Sequence, residues 1–206
     1  MSSEREANPA DEPDRGTQWM LAYQAGSEPA FDRLVEAYSG TVYRLLTRFL
    51  GPAPEREDLV QEVFLRVIRA RERYRPTARF TTWLYRIVFN LAVNRTQRRR
   101  PELSLEDPGG EREGAEREGA EREDADAPDP SRGLEREDVV QAVRRAVAAL
   151  PEQQRIALIL AKYEELPYAE IARVLDSSEK AIKSLIHRAR ETLRAALAPY
   201  LQEELP

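Results

Sequence analysis

Between Arg79 and Pro101 the chain reads RFTTWLYRIVFNLAVNRTQRRRP, and Arg86, Asn90, Asn94 and Arg98 recur in it at intervals of four. That interval sets the four side chains on one face of a helix. An asparagine amide both donates to and accepts from a base edge, and arginines hold phosphates. Tyr85 and Phe89 lie beside the row, and aromatic rings stack on unpaired bases. Trp83, Leu84, Ile87, Val88, Leu91 and Ala92 follow the three-four spacing of an apolar face. This is the chemistry of a helix that handles opened DNA. The same pattern also describes an amphipathic core helix with a solvated face, and the stretch taken alone leaves both readings open.

A second set lies near the C-terminus. Lys180, Lys183, Ser184, His187, Arg188 and Arg190 fall on one side of a helix expected over residues 179–197. A short helix over Tyr168–Leu175 and the turn Asp176-Ser177-Ser178 precede it, which is the helix-turn-helix pattern. In such a motif the first turns of the second helix enter the major groove, where Lys and Ser meet base edges. Arginines further along hold the backbone. An ordinary amphipathic helix with a basic face is the plainer alternative.

Bond-making chemistry is poorly served. The chain has no cysteine and one histidine, which excludes thiolate catalysis, disulfides and a His-based metal cluster. Glu57, Asp58 and Glu62 sit close together, but no second group of ligands accompanies them. The expectation is a binding protein with no cofactor, no metal and no catalysis of its own.

The elements that position these residues read as helices throughout. The net charge of −5 conceals a segregation: residues 31–101 carry fifteen arginines against seven acids, and residues 102–130 twelve acids against three arginines. A basic module followed by an acidic tether is the pattern of polyanion binding. Residues 1–16 read as a disordered tail. Helices are expected at Thr17–Ala25, from Ser27 to Leu50, at Glu55–Ala70 and through Trp83–Ala92, forming an antiparallel bundle. Asp58, Gln61, Glu62 and Leu65 share the outer side of the third. Residues 102–133 contain EREGA-EREGA-EREDA, which has no large apolar residue and reads as a flexible linker. The second module spans residues 134–198, with helices around Val139–Leu150 and from Pro151 to about Glu165 before the helix-turn-helix; residues 199–206 are a tail. The fold class is all-α: two small helical domains on an acidic linker. No apolar run approaches the roughly 20 residues of a membrane span, and the acidic N-terminus is no signal peptide. The expected location is cytoplasmic.

Four stretches together resemble a sigma factor of the extracytoplasmic-function (ECF) group, the two-domain class of bacterial transcription initiation factors. They are FDRLVEAYSGTVYRLLTRFL, DLVQEVFLRVI with its D-x-x-Q-E-x-F pattern, FTTWLYRIVFNLAVN, and the stretch from Leu150 to Leu193. The resemblance covers most of residues 17–197. It implies that Asp58, Gln61, Glu62 and Leu65 dock on the clamp helices of the largest polymerase subunit. It implies that Arg75, Thr77, Arg79, Phe80, Tyr85, Arg86, Asn90, Asn94 and Arg98 capture and melt the so-called −10 element, whose flipped base costs a few kcal/mol to extrude. It implies that Ser178, Lys180, Lys183, Ser184, His187, Arg188 and Arg190 read the −35 element. Trp83 matches a family aromatic, although its spacing assigns it to the apolar face. Ala181, Leu185 and Ser178 depart from the family's frequent residues, which puts the preferred −35 sequence in doubt.

The partners so implied are core RNA polymerase, promoter DNA and an anti-sigma factor. The free chain would be a monomer, or 1:1 with the anti-sigma factor, and would meet the membrane only through that partner. A helix-turn-helix repressor or activator working without core polymerase is the competing function; it accounts for Tyr168–Leu193 but not for the Asn-rich helix.

Overall fold

The computed structural model describes residues 14–51, 56–105 and 130–201, and side chains over 14–51, 56–97 and 138–200. Most of the expected N-terminal tail, the Pro52–Pro54 turn, the pentad repeat and residues 202–206 lie outside the described residues. Among those described there are eight α-helices and no strand.

Helix α1 (Arg15–Gln24) starts before the expected Thr17 because Asp14 caps it: Asp14 Oδ1 accepts from the Thr17 N–H at 2.8 Å. Helix α2 (Glu28–Leu50) has Pro29 in its first turn and ends at Gly51, whose φ of 75° suits a residue without Cβ. Ser27 stands at its N-cap but its side chain makes no capping bond. Helix α3 (Arg56–Arg69) opens with Glu57 and Asp58 against the positive end of the helix dipole. A 3₁₀ turn at Arg71–Arg73 and the loop Tyr74–Arg79 lead to α4 (Phe80–Leu105), which passes through Pro101 rather than ending there.

The buried face of α2 (Leu34, Val42, Leu45, Leu46, Phe49) meets Val63, Phe64 and Val67 of α3 and Leu84, Val88 and Ala92 of α4. Each such side chain contributes roughly 1.5–3 kcal/mol by leaving water. These helices form the expected N-terminal bundle.

The C-terminal unit comprises α5 (Pro130–Ala149), α6 (Glu152–Tyr163), α7 (Tyr168–Val174) and α8 (Glu179–Leu201). Ile156, Ile159 and Leu160 of α6 pack with Ile171 of α7 and Ile182 and Ile186 of α8. Val139, Val140 and Val143 of α5 stay largely exposed although they lie on the expected apolar face. The chain turns after α6 and α7 at Glu165 and Asp176, both at φ near 50°. No glycine marks either turn, so only Asp176, a residue type that tolerates the left-handed region, carries a sequence signal.

The two units do not stand apart. Helix α4 packs against α7, α2 packs against α6, and the buried apolar residues from Met20 to Ile186 form one continuous cluster.

Candidate nucleic-acid interface

Helix α8 brings the C-terminal basic residues to one accessible face. Lys180, Lys183, Ser184, His187, Arg188 and Arg190 are all exposed. Ser178 is the N-cap of this helix: its Oγ accepts from the Ala181 N–H at 3.2 Å and its carbonyl from the Ile182 N–H at 3.0 Å. As acceptor in that bond the Ser178 hydroxyl sets where the helix begins, and its O–H is still able to donate outward. Arg188 Nε donates to the Ser184 carbonyl at 3.4 Å. His187 Nδ1 lies 3.6 Å from Glu191 Oε2, an ion pair only when the imidazole is protonated. Beneath this face Ile182, Ile186 and Ala189 are buried, which fixes the rotation of α8.

The row on α4 is split. Arg86, Asn90 and Asn94 are exposed at the expected interval. The side chain of Arg98 lies outside the described residues. Arg75, Thr77 and Arg79 are exposed in the loop before α4, with Arg75 Nη1 donating to the Tyr74 carbonyl at 2.9 Å.

Phe80 and Tyr85 differ from their expected exposure to bases. Phe80 is 0% exposed, its ring set among Tyr38, Tyr74 and Trp83 at centroid distances of 5.1, 6.4 and 5.6 Å. Helix α4 is covered on more than one side, so an aromatic at its first turn falls into the core instead of the groove. Tyr85 is 4% exposed, and its hydroxyl donates to Glu164 Oε2 at 3.0 Å. Burial first, and then the Glu164 charge, push the Tyr85 phenol well above its ordinary range. Phe89, placed beside the row, is also buried, edge-on to Phe49 at 5.7 Å. Trp83 shares both fates: half-buried, it packs edge-on to Tyr74 at 5.0 Å and also lines a surface cleft.

That cleft, about 510 Å³, runs between the two units, with Arg75, Thr77 and Arg86 on one wall and Arg173, Asp176 and Glu179 on the other. Arg86 Nη2 lies 3.4 Å from Asp176 Oδ1 across it. Thr82, not singled out in the sequence, is buried and donates to Glu170 Oε2 at 2.7 Å. Glu164 uses both oxygens, Oε1 taking Arg48 Nη1 at 3.3 Å and Oε2 taking Tyr85. These partners are 79 to 116 residues apart in sequence, beyond any local periodicity.

On α3, Asp58 and Gln61 are exposed and Leu65 is 44% exposed. Leu65 and Ile68 edge a shallow apolar groove with Phe31, Val35, Val60 and Phe64. Glu62 is held by Arg66 at 3.0 Å and Arg69 at 3.4 Å. The Arg66 hydrogen bond lowers its carboxyl below the ordinary range. The four expected docking residues therefore share one helix, three on its open side and Glu62 in an ion-pair cluster.

Two family models match the chain: Sigma-70 region 2 over residues 34–102 and Sigma-70 region 4 over residues 140–193. The chain is 36% identical over 182 residues to the RNA polymerase sigma-H factor of Pseudomonas aeruginosa, covering 87% of this chain and 92% of that protein. It is 32% identical over 173 residues to the ECF sigma factor SigW of Bacillus subtilis, at 84% and 91% coverage. With the ECF sigma-E factor of Escherichia coli K12 the identity is 36% over 181 residues, at 87% and 92%. In fold it is similar to CnrH, solved in complex with the cytosolic domain of CnrY: TM-score 0.64, 23% identity, 90% of this chain and 99% of that one. RpoE of Bartonella quintana, solved with the anti-sigma factor NepR, matches at a TM-score of 0.61 and 20% identity, over 82% and 96%. The chain thus belongs to the ECF group of RNA polymerase sigma factors, transcription initiation factors that bind core RNA polymerase.

Proposed function

We propose that this sigma factor divides its work between residues 17–101 and 134–198, joined by the acidic linker 102–133. The α3 face with Asp58, Gln61, Glu62 and Leu65 docks on the polymerase clamp helices. Arg75, Thr77 and Arg79, together with Arg86, Asn90, Asn94 and Arg98, engage the −10 element and hold its separated strand. Phe80 and Tyr85 position this surface from beneath. The basic face of α8 reads the −35 element in the major groove, with Ser178 fixing the start of that helix.

The single observation that carries the DNA assignment is the exposed Arg86, Asn90 and Asn94 row on a helix whose opposite face is core. Such a row supplies amide edges for bases and a guanidinium for phosphate, without a nucleophile or an acid–base pair. Strand opening then needs no catalysis by this chain; binding energy offsets unstacking. The proposal places the protein in the cytoplasm, and among the described residues no helix is long and apolar enough to cross a membrane. An anti-sigma partner belongs to the same proposal, by likeness to RpoE of Bartonella quintana, which was solved with one.

The test is promoter affinity with and without core enzyme, followed by run-off transcription across a promoter library. Tight binding confined to the holoenzyme is the expected result. Equal affinity without core would favour a helix-turn-helix regulator acting alone.

A further inference from the structure

Helix α1 contributes no side chain to the proposed polymerase and DNA faces, yet it grips both ends of the loop that leads into α4. At the entry, Gln24 Nε2 donates to the Arg71 carbonyl at 2.9 Å and reaches the Glu72 and Tyr74 carbonyls at 3.3 Å each. At the exit, Asp14 Oδ2 accepts from the Phe80 N–H at 3.0 Å, a first-turn donor that α4 itself cannot satisfy. Between these points the buried Tyr74 ring packs edge-on to Trp83 at 5.0 Å, and its hydroxyl donates to Thr17 Oγ of α1 at 3.4 Å. The loop held in this way presents Arg75, Thr77 and Arg79, all exposed.

We propose that α1 is a clamp that shapes the −10-facing loop, with Gln24 and Asp14 as positioning residues for strand opening although neither meets DNA.

The physical need is preorganisation: a loop that becomes ordered only on binding loses the affinity that its ordering costs. Arg75 makes that need specific. Its Nη1 donates to the Tyr74 carbonyl at 2.9 Å and the Glu72 carbonyl at 3.2 Å, the same two oxygens that Gln24 reaches. A carbonyl oxygen has two lone pairs, so each can take both donors. When the Arg75 guanidinium leaves for a phosphate, Gln24 still serves those oxygens, and the turn at Arg71–Arg73 keeps its shape. Without the Gln24 amide, Arg75 would have to hold the turn itself and could reach DNA only by releasing it. The exit works in the same sense: Asp14 fixes where α4 starts, and that start sets the phase of Arg86, Asn90 and Asn94 along the helix.

This inference rests on the −10 reading, and its test separates the two. Gln24 is half-buried at the edge of the bundle, so Gln24→Met keeps its shape and removes its donors, whereas Gln24→Lys restores donors to the same place. Each variant is assembled with core enzyme and read in three ways: competition for core, opening of a duplex promoter carrying a fluorescent base analogue in the −10 element, and run-off transcription from a template already melted there. Gln24→Met should compete for core and transcribe the melted template like the parent. It should open the duplex about tenfold more slowly, the lower end of what misplacement of a distant group costs a reaction. It should also discriminate less among bases of the −10 element, and Gln24→Lys should recover part of both losses. Arg75→Ala should slow the parent more than it slows Gln24→Met, because the two side chains share their acceptors. Unchanged duplex opening by Gln24→Met, an equal loss in all three readouts, or a Gln24→Lys chain no better than Gln24→Met would overturn the clamp. A parent chain in which Arg75→Ala and Asn90→Ala leave duplex opening unaltered would instead remove the −10 reading, and the clamp's role in opening with it.

Discussion

The Tyr85 hydroxyl donates to Glu164 Oε2 at 3.0 Å, joining α4 to the end of α6 across 79 residues of sequence. Tyr85 is buried, so removing its acceptor strands a polar group away from water. Glu164→Ala should therefore cost about 1–3 kcal/mol, the penalty for a buried donor left unpaired. Tyr85→Phe removes the donor as well and should cost less, about 0.5–1.5 kcal/mol. Urea midpoints of the two variants, compared at constant m-value, check the order; a larger loss for Tyr85→Phe would contradict it.

Tyr38, Tyr74 and Tyr85 all have phenols raised above their ordinary value, with burial as the largest cause in each. Negative charge adds to it, from Asp14 at Tyr38 and Tyr74 and from Glu164 at Tyr85. The fold favours their protonated forms. Their contribution to stability is intact below the unfolded tyrosine value of about 10 and is lost as pH rises through the higher folded values. Melting temperature should hold on the neutral side and fall steeply above that pH. Ultraviolet titration should show these three of the eight tyrosines ionising late, together with unfolding. Simple titration of all eight near the ordinary value, with the fold intact, would refute the assignment.

The helices were legible because each carries a 3.6-residue apolar period and recognisable end signals. Phe31 to Phe49 and Ile182 to Leu193 announce themselves in that way. The exposed Arg86, Asn90 and Asn94 row and the basic face of α8 followed from the same period. Phe80 and Tyr85 did not, because periodicity gives one buried face and α4 has neighbours on several sides. Local spacing cannot say that the end of α6 will cover the flank on which Tyr85 sits. Asp14 reads as part of an acidic tail, and only the fold brings the first residue of α4 to its second oxygen. The family resemblance supplied roles for these positions but not the contact between the two units, which depends on pairs 55 to 116 residues apart.

Asp14 serves two helices. Its Oδ1 accepts from the Thr17 N–H at 2.8 Å and its Oδ2 from the Phe80 N–H at 3.0 Å. Asp14→Ala should cost about 1–2 kcal/mol, more than a surface cap in a lone helix, because two buried-end donors lose their acceptor. Asp14→Asn keeps one acceptor and should recover part of that loss. Thermal unfolding of the three proteins measures the series, and equal stability of all three would show that neither bond matters.

Gly16 lies in the first turn after that cap, and helix propensity alone says that alanine would stabilise it by about 0.8–1 kcal/mol. Packing says the reverse. A Cβ there would fall 2.5 Å from Tyr38 Oη, 2.7 Å from Phe80 Cδ1 and 2.9 Å from Phe80 Cβ. The hydroxyl can swing aside, but Phe80 Cβ is fixed by its own backbone at the start of α4. Gly16→Ala should therefore destabilise by about 1–3 kcal/mol net of propensity. A higher melting temperature for the variant would show that α1 can slide to make room.

The three proposed surfaces should fail separately, because no side chain is shared between them. Leu65 is 44% exposed at the rim of the α3 groove, so Leu65→Glu should leave folding within about 0.5 kcal/mol of the parent. Placed in a desolvated interface, the new charge should nonetheless weaken core binding by tenfold or more, on the order of 1.4 kcal/mol or above. Asn90→Ala should leave core affinity alone and slow open-complex formation, measured by a fluorescent base analogue in the −10 element. Lys183→Ala should weaken duplex binding at the −35 end and lessen its salt dependence, without touching strand opening on a pre-melted template. Core competition, strand opening and upstream duplex binding are three independent readouts. A Leu65→Glu chain that competes for core as well as the parent would remove α3 from the docking face even if the other two variants behave as expected.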